Sequence, residues 1–468
     1  MHWIDALVIV SYLIALVFMA LYKQRRNETE VSFLLSGRTI TLPAFVATLV
    51  STWYGGILGM GEYSYQFGIS QWVLFGLPYY LFAMLFAVFL AGRIRENSAL
   101  TIPEALKNTY NPATGAASAI FIFLLASPAP YLLMTGLLLQ FYTGFEGSIL
   151  LFSTLTGLFS VIYVSLSGFR AVIRTDFLQV LLMYSGFAIL LFLAVRHAGL
   201  PHEIWHLLPE NHKAPLGGHG LQYLMVWFFI ALWTFVDPSF HQRAAAAKSP
   251  QTARKGIFYS VILWFVFDLF TVFCGLYGWV ILGHLDNPVL VYPELGRKLL
   301  PVGLTGLFFI TLLATIMSTL DSYLLISGQT LGRDLIARKW FPEKTVLLTR
   351  WSMLLSAITG LVLIALFPSV IALWYVIGSV LIPGLLIPIL GVYIPFFRIK
   401  STMAVWQLII PSGVSMVWLI FGTMDSGDLY HYAFLGLEPF YPGLFTAIFI
   451  WIYARSKGEK NLPLNETR

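Results

Sequence analysis

The sequence predicts an all-helical protein that crosses a membrane many times. Of its 468 residues, 58% are hydrophobic and only 11% are charged, and the mean hydropathy is +0.79. This composition is too apolar for a water-soluble globular protein of the same length. Apolar stretches of about 20 residues, long enough to cross a hydrocarbon layer of about 30 Å, recur from end to end. We therefore expect an all-α polytopic membrane protein with 13 transmembrane helices.

The predicted spans follow one another along the whole chain. The first, residues 3–22, is too long for the core of a signal peptide and precedes the basic segment Lys23-Gln-Arg-Arg26, so we expect it to be retained. Hydropathy places the other spans, within a few residues, at 42–65, 70–91, 114–142, 148–167, 171–195, 220–240, 255–283, 302–331, 346–367, 370–396, 402–423 and 439–454.

Basic residues predict the orientation of the chain in the membrane. Most of the 28 Lys and Arg residues, such as Arg93, Arg243 and Arg333, fall in loops on one side, whereas the opposite loops hold few, such as Arg196 and Arg297. We expect the protein in the cell (inner) membrane. By the positive-inside rule, its amino terminus lies outside and its carboxyl terminus lies in the cytoplasm. The net charge of +6 reflects this asymmetry and requires no nucleic-acid partner.

Two predicted spans contain sequence that interrupts a helix. Span 42–65 has four glycines among the seven residues 55–61, directly after Trp53 and Tyr54, and span 220–240 ends in Asp237-Pro238. Glycines can instead allow close helix packing, but the two aromatic side chains beside them oppose that alternative. Backbone groups freed inside the membrane bind ligands in many transporters, and breaks five spans apart are typical of two inverted five-helix repeats.

These breaks divide the chain into five expected parts. They are an extra helix with an inner loop (1–40), a first five-helix repeat (41–197), an outer loop (198–219), a second five-helix repeat (220–398), and two extra helices with a cytoplasmic tail (399–468).

A cluster of polar residues lies inside the predicted span 302–331. Ser318, Thr319 and Ser322 carry hydroxyl groups and Asp321 carries a carboxylate. A charge in the bilayer core costs at least about 2.5–3.5 kcal/mol, so these groups must face a partner, a cavity or an ion. Hydroxyl and carboxylate oxygens can replace the water shell of Na⁺, or they can join helices by hydrogen bonds. The residues alone leave both alternatives open.

Several functional classes are disfavoured. The single cysteine, Cys274, excludes a disulfide within the chain and a multi-cysteine metal cluster. Histidines of the outer loop, such as His212 and His219, have the spacing of exposed loop residues rather than of a metal site. No phosphate-binding glycine loop or catalytic-triad spacing occurs, so we expect neither an enzyme nor an organic cofactor. The expected partners are a small solute and the lipid bilayer, with no obligate protein partner.

Five segments, in order, resemble the sodium:solute symporter family. They are Phe33-Leu-Leu-Ser-Gly-Arg38, Thr101-Ile-Pro-Glu104, the stretch 167–179, Gln242-Arg243 with Ala247-Lys-Ser-Pro250, and Met317-Ser-Thr-Leu-Asp-Ser322 with Arg333-Asp334. The resemblance implies the fold of the leucine transporter, with one helix before a ten-helix core and two after it. It also implies Na⁺-coupled import, by alternating access, of a small organic solute such as a sugar, an amino acid or a carboxylate.

Two other functions stay open at this point. A proton-coupled solute carrier would use Asp176, Asp321 or Asp268 to carry the proton. A membrane enzyme or sensor would need catalytic residues or a signalling domain, and the short carboxyl-terminal segment offers neither.

The resemblance also implies a sodium site. Its ligands would be the side chains of Ser318 and Thr319 and the carbonyl oxygens of Thr315, Leu49 and Thr52. For the last two, an alignment shifted by two residues is an alternative.

A second Na⁺ site or an ion path would involve Asp176, Asp321 and Ser322. The resemblance calls for a hydroxyl where this chain has Asp321, which leaves the number of sodium ions open. The alternative for Asp176 is a salt bridge with Arg170 or Arg174 at the membrane interface.

The solute is expected to bind between the interrupted spans and their neighbours. The candidate contacts are Ser51, Trp53, Tyr54, Gly55, Gln71, Tyr131, Trp233 and Asp268. Trp233 matches an aromatic gate of the family or is a core aromatic residue, and Asp268 faces the cavity or pairs with a polar group. Because the central parts of these spans contain no Lys or Arg, an anionic solute would depend on backbone donors.

Overall fold

The computed structural model is a bundle of long helices. It describes residues 2–22, 29–145, 147–426 and 432–456, and these residues form no strand beyond two isolated bridges. The basic segment 23–26 and the predicted tail after residue 456 lie outside the described residues.

Twelve helical segments of the described chain are long and apolar enough to cross a bilayer. They are α1 (Trp3–Leu21), α2 (Leu42–Phe67), α3 (Ser70–Glu96), α4 (Pro112–Thr143), α5 (Ile149–Leu166), α6 (Phe169–Ala198), α7 (Leu221–Ala246), α8 (Pro250–Leu282), α9 (Leu304–Trp340), α10 (Pro342–Leu366), α11 (Val370–Tyr393) and α12 (Ser401–Met424). The predicted last span is α13 (Phe440–Ser456), whose 17 residues are fewer than in any of the twelve. The count of 13 crossings stays a prediction.

The helix α9 forms the centre of the bundle. Every residue of its apolar window is buried, compared with 22% for α1 at the periphery. It contacts α1, α2, α4, α6 and α10. Gly186 of α6 allows one of these approaches, because a Cβ atom there would lie 2.1 Å from the Thr311 hydroxyl oxygen. The polar side chains of α9 therefore face other helices rather than lipid.

The predicted interruption of α2 is present. The α-helix runs over Leu42–Trp53, gives way to a 3-10 turn over Tyr54–Gly56, and resumes over Ile57–Phe67. The two glycines of this turn face different neighbours. A Cβ atom on Gly55 would lie 2.0 Å from the Thr319 hydroxyl oxygen, and one on Gly56 would lie 2.0 Å from the Trp374 ring. The turn is thus held tightly between α9 and α11.

The helix α7 is interrupted as well, and it extends further than predicted. Its pieces are Leu221–Ile230, Trp233–Val236 and Pro238–Ala246. Pro238 begins the last piece instead of ending the span. A proline fits the first helical position because the backbone N–H that it lacks would have no partner within the helix there. The Asp237 carboxylate caps this piece and accepts the backbone N–H groups of Ser239 (2.6 Å) and Phe240 (3.2 Å).

The outer loop 198–219 folds back over α2, so the expectation that His212 is exposed was wrong. Its side chain is 2% exposed, and its Nε2 lies 2.7 Å from the Tyr65 carbonyl oxygen. Gly68 allows this approach, since its φ is +61° and a Cβ atom there would lie 2.2 Å from the His212 carbonyl oxygen. Burial lowers the pKa of His212, so the neutral ring is favoured.

Candidate sodium site and solute cavity

The hydroxyl groups of α9 meet the interrupted part of α2 and the amino-terminal part of α6. Thr319 donates a hydrogen bond to the carbonyl oxygen of Thr52 at 2.7 Å, and Ser318 donates to Oδ1 of Asp176 at 2.6 Å. Both side chains are 1% exposed. Oxygen atoms from three helices therefore converge in a region from which lipid is excluded.

This cluster has the chemistry of a site for a small monovalent cation. Thr52 lies in the last turn of the first α2 helix, where backbone carbonyls lack their usual helical partners. Leu49 lies about one turn before Thr52 on α2, and Thr315 lies about one turn before Thr319 on α9. Both residues are buried. Carbonyl oxygens of unwound helices bind Na⁺ in transporters of this general design. The oxygen atoms found here fit the five predicted Na⁺ ligands, and those assignments stay predictions.

An arginine that the sequence analysis assigned to an inner loop lies beside this cluster. Arg243 is fully buried in the last piece of α7 and donates to Oγ1 of Thr52 (2.5 Å) and Oγ of Ser322 (2.9 Å). Its guanidinium lies 3.8 Å from Oδ2 of Asp176, which also accepts a bond from the Thr48 hydroxyl. The available signal was the Asp-Pro pair before it, because that pair starts a helix and carries Arg243 into the bundle.

The three residues predicted for a second ion site do not face the same way. Asp176 and Ser322 both contact the Arg243 group. Asp321 instead accepts the Tyr163 hydroxyl of α5, and its other carboxylate oxygen has no partner among the described residues. The role of these residues stays a prediction, with Arg243 as an additional partner of Asp176.

A cavity lies on the other side of the α2 turn. Six of the eight predicted solute contacts line it, namely Trp53, Tyr54, Gln71, Tyr131, Trp233 and Asp268. Ser51 and Gly55 do not, because the Ser51 hydroxyl donates to the Ala47 carbonyl oxygen at 3.0 Å and Gly55 packs against Thr319.

Further lining residues were not predicted. They are Thr52, Gly56, Met60, Phe75, Tyr79, Trp227, Ile230, Asp237, Ser239, Tyr323 and Trp374. Several of their rings pack edge to face, as for Trp53 with Tyr79 (4.8 Å between centroids) and Tyr131 with Tyr323 (5.2 Å). Gly56 and Asp237 belong to the predicted interruptions, whereas the sequence carries no local signal for most of the others, because their positions depend on contacts between distant helices.

An ionic network joins several segments at the end of the bundle that carries most basic residues. Arg333 is 1% exposed and pairs with Glu30, with Glu104 at 2.7 Å and with Asp334 at 2.5 Å. Arg338 also pairs with Glu104. Burial alone would raise the pKa of Glu104, but Arg333 and the Leu100 N–H group hold it below its ordinary value. The carboxylate therefore stays charged, and segments distant in sequence are joined at this end.

The chain is similar to known transporters along most of its length. A model of the sodium:solute symporter family matches residues 33–410. The sodium/glucose cotransporter of Vibrio parahaemolyticus is 24% identical over 374 residues, which are 69% of this chain and 67% of that protein. The osmoregulated proline transporter of Bacillus subtilis is 24% identical over 454 residues, or 90% and 89%. The solved structure of a Na⁺-coupled sialic acid symporter superposes with a TM-score of 0.79 at 16% identity, covering 97% and 96%.

A membrane bundle whose two interrupted helices meet an oxygen cluster and a cavity defines the class of secondary transporters. The family match covers most of the chain, so the protein belongs to the sodium:solute symporter family. The predicted all-helical membrane fold of the leucine-transporter type is confirmed. The prediction of a sodium-coupled symporter for a small organic solute, and not an enzyme, is also confirmed. Domain boundaries and individual site residues stay predictions.

Proposed function

We propose that this symporter binds the coupling Na⁺ between α2 and α9 and uses it to import its solute from the cavity beside Trp53. The supporting observation is the 2.7 Å hydrogen bond from the Thr319 hydroxyl to the Thr52 carbonyl oxygen. This bond joins the interrupted helix of the first predicted repeat to the central helix of the second. An ion that takes both oxygens as ligands would hold the two repeats together.

Coupling follows from the position of the α2 turn. Thr52 contacts α9 on the ion side, and its neighbour Trp53 lines the cavity. An ion bound to the Thr52 carbonyl therefore restricts the backbone that positions the cavity wall, which favours solute binding. By linkage, the solute favours the ion by the same factor.

Release is directed to the opposite end of the site. The end of the bundle that holds the Arg333 network carries most of the basic loops, so we place it in the cytoplasm. The amino terminus then lies outside the cell membrane. In this proposal the ion passes Asp176, which accepts a hydrogen bond from Ser318, and the Arg333 network opens before the ion leaves. An inside-negative potential contributes about 2.3 kcal/mol per charge per 100 mV to this direction of movement.

The test uses purified full-length protein, with Na⁺ exchanged for K⁺ at constant ionic strength. We expect Na⁺ to raise the midpoint of thermal unfolding and radioactive Na⁺ to bind saturably. Ser318→Ala and Thr319→Ala should each raise the Na⁺ concentration needed for half-saturation by about 10-fold, since one lost ligand is worth about 1.4 kcal/mol. Ser327→Ala is the matched control, because its buried hydroxyl lies on the same helix but bonds to the Ser356 hydroxyl.

Equal responses of the Ser318→Ala and Ser327→Ala variants would contradict the proposed site. Solute uptake driven by a pH gradient in the complete absence of Na⁺ would contradict sodium coupling itself.

A further inference from the structure

We propose that the transported solute carries an ammonium group, which binds to Asp268 and to the aromatic faces of the cavity. The inference rests on the proposed function, since it takes this cavity as the solute site. It concerns the charge of the cargo, which the sodium site does not determine.

Asp268 is a buried carboxylate without a counterion. It lines the cavity, is 4% exposed, and accepts the Tyr80 hydroxyl. In the described part of the chain, it forms no ion pair. A carboxylate at this depth is costly unless a positive group is nearby. A cationic solute would supply that group.

The other carboxylate of the cavity differs from Asp268 in its partners. Asp237 accepts two backbone N–H groups at the start of a helix and the Tyr323 hydroxyl at 2.9 Å. The positive end of the helix stabilises its charge. Asp237 is therefore stabilised by backbone N–H groups of a helix start, whereas Asp268 accepts a tyrosine hydroxyl in the middle of α8.

The wall of the cavity suits a cation as well. Trp53, Tyr79, Trp233 and Trp374 are among the lining residues, and the face of an aromatic ring attracts an ammonium group most strongly where water is excluded. The described lining contains no Lys, Arg or His that would repel a cation or pair with an anion. Aromatic rings also bind sugars, so the charge of Asp268 is the feature that separates the two classes.

Three unpartnered polar atoms refine the expected solute. The side-chain oxygen of Gln71 is buried in the cavity lining without a hydrogen-bond donor, and the indole N–H groups of Trp227 and Trp233 are buried there without an acceptor. The Gln71 oxygen would accept from an N–H or O–H group of the solute, and each indole would donate to an oxygen. An ammonium compound with a nearby oxygen matches these groups.

The experiment compares molecules of one shape and different charge. The Na⁺-loaded full-length protein is titrated with choline, with its neutral isostere 3,3-dimethylbutan-1-ol and with the anion 3,3-dimethylbutanoate. K⁺ keeps the ionic strength constant wherever Na⁺ is left out. A primary alkylammonium and its alkanol form a second pair. Thermal stabilisation and tryptophan fluorescence report binding. We expect the cation of at least one set to bind at least about 10-fold more tightly than its neutral partner, as about 1.4 kcal/mol of charge interaction would give.

Variants then assign the selectivity to one side chain. Asp268→Asn should bring the ratio of cation to neutral affinity close to one while the stabilisation by Na⁺ alone persists. Glu294→Gln, which alters a carboxylate paired with the exposed Arg297, should leave the ratio unchanged. If Asp268→Asn does not fold, Tyr80→Phe serves instead. It removes a hydrogen-bond donor but keeps the charge, so the ratio should be maintained or increase.

The proposal is overturned if no set shows preference for its cation, if a neutral or anionic member binds as well, or if Asp268→Asn retains the preference. A fall of the ratio in Tyr80→Phe would overturn it too. These outcomes are separate from failure of the sodium site, because loss of stabilisation by Na⁺ leaves the charge preference of the cavity measurable.

Discussion

The two sides of the α2 turn solve the problem of buried charge differently. On the ion side, Asp176 accepts two hydroxyl groups and has the guanidinium of Arg243 at 3.8 Å. On the cavity side, Asp268 accepts a hydrogen bond from the Tyr80 hydroxyl and lines a cavity with many aromatic rings. Asp176 is thus balanced by the protein, whereas Asp268 is left for the cargo to balance.

The difference explains how a single turn can serve two ligands. An intrinsic cation beside the sodium cluster limits the net charge there, so the ion depends mainly on the dipoles of hydroxyl and carbonyl groups. The cavity keeps a net negative charge and can select its solute by charge. Thr52 contacts α9 and also lines the cavity, so the two sides are linked, but Gly55 and Gly56 face different neighbours and allow each side to be perturbed by itself.

The largest effect should come from the ionic network, which joins segments distant in sequence and lies outside both sides. Arg333→Gln removes a buried cation from three carboxylates and should lower the free energy of unfolding by about 3 kcal/mol. Arg297→Gln, whose pair with Glu294 is exposed, should cost less than about 1 kcal/mol. Thermal and chemical unfolding of the two variants measure the difference. Similar losses in both would contradict a larger contribution of the buried network to stability.

Gly55→Ala should break the ion side. Its Cβ atom would collide with the Thr319 hydroxyl group, and forcing that side chain away costs about 1–3 kcal/mol. We expect half-saturation by Na⁺ to weaken by at least about 10-fold in a sodium-dependent unfolding assay. The control is Gly413→Ala, because nothing lies within 4 Å of a Cβ atom there. It should be neutral or stabilising in the α12 helix.

Gly56→Ala should affect the cavity side instead. Its Cβ atom would collide with the Trp374 ring, which would move and change the shape of the cavity. We expect solute binding to weaken by about 10-fold, since this shift costs about 1–2 kcal/mol, while half-saturation by Na⁺ in the absence of solute changes much less. Equal effects of Gly55→Ala and Gly56→Ala on both ligands would contradict the division between the two sides.

The smallest effect should come from His212, which lies outside both sides. Burial holds its pKa below the ordinary value of 6.5, so the unfolded chain binds a proton more readily than the folded protein. Stability should therefore be complete above pH 6.5 and fall as the pH drops below that value. His212→Gln should reduce this slope, and His202→Gln, in an exposed part of the same loop, should not. Thermal midpoints between pH 8 and pH 5 provide the measurement.

Much of the local architecture could be predicted from the sequence. Glycines after Trp53, the Asp237-Pro238 pair and the hydroxyls of Ser318 and Thr319 act through nearby backbone and side-chain chemistry. Such signals can be recognised without knowing which helices touch. The interruption of α2 and the one at Asp237-Pro238 of α7 appeared where these signals placed them, whereas the break at residues 231–232 of α7 was not predicted.

The unpredicted features depend on contacts across the bundle. Arg243 reaches Thr52, 191 residues earlier in the chain, and Trp374 packs on Gly56. Hydropathy ended the span near residue 240 because it treats Asp237-Pro238 as a stop, whereas the proline starts a new helix. The burial of His212 was missed for a similar reason, since a loop rich in polar residues folded back on α2.

The Arg333 network also has a consequence for biosynthesis. Glu30 and Glu104 precede Arg333 by 303 and 229 residues, respectively. During translation, both acidic residues are made long before the arginine that neutralises them. A partly synthesised chain therefore cannot form these ion pairs, and the segments that hold Glu30 and Glu104 can be joined to α9 only after the ninth helix has been made.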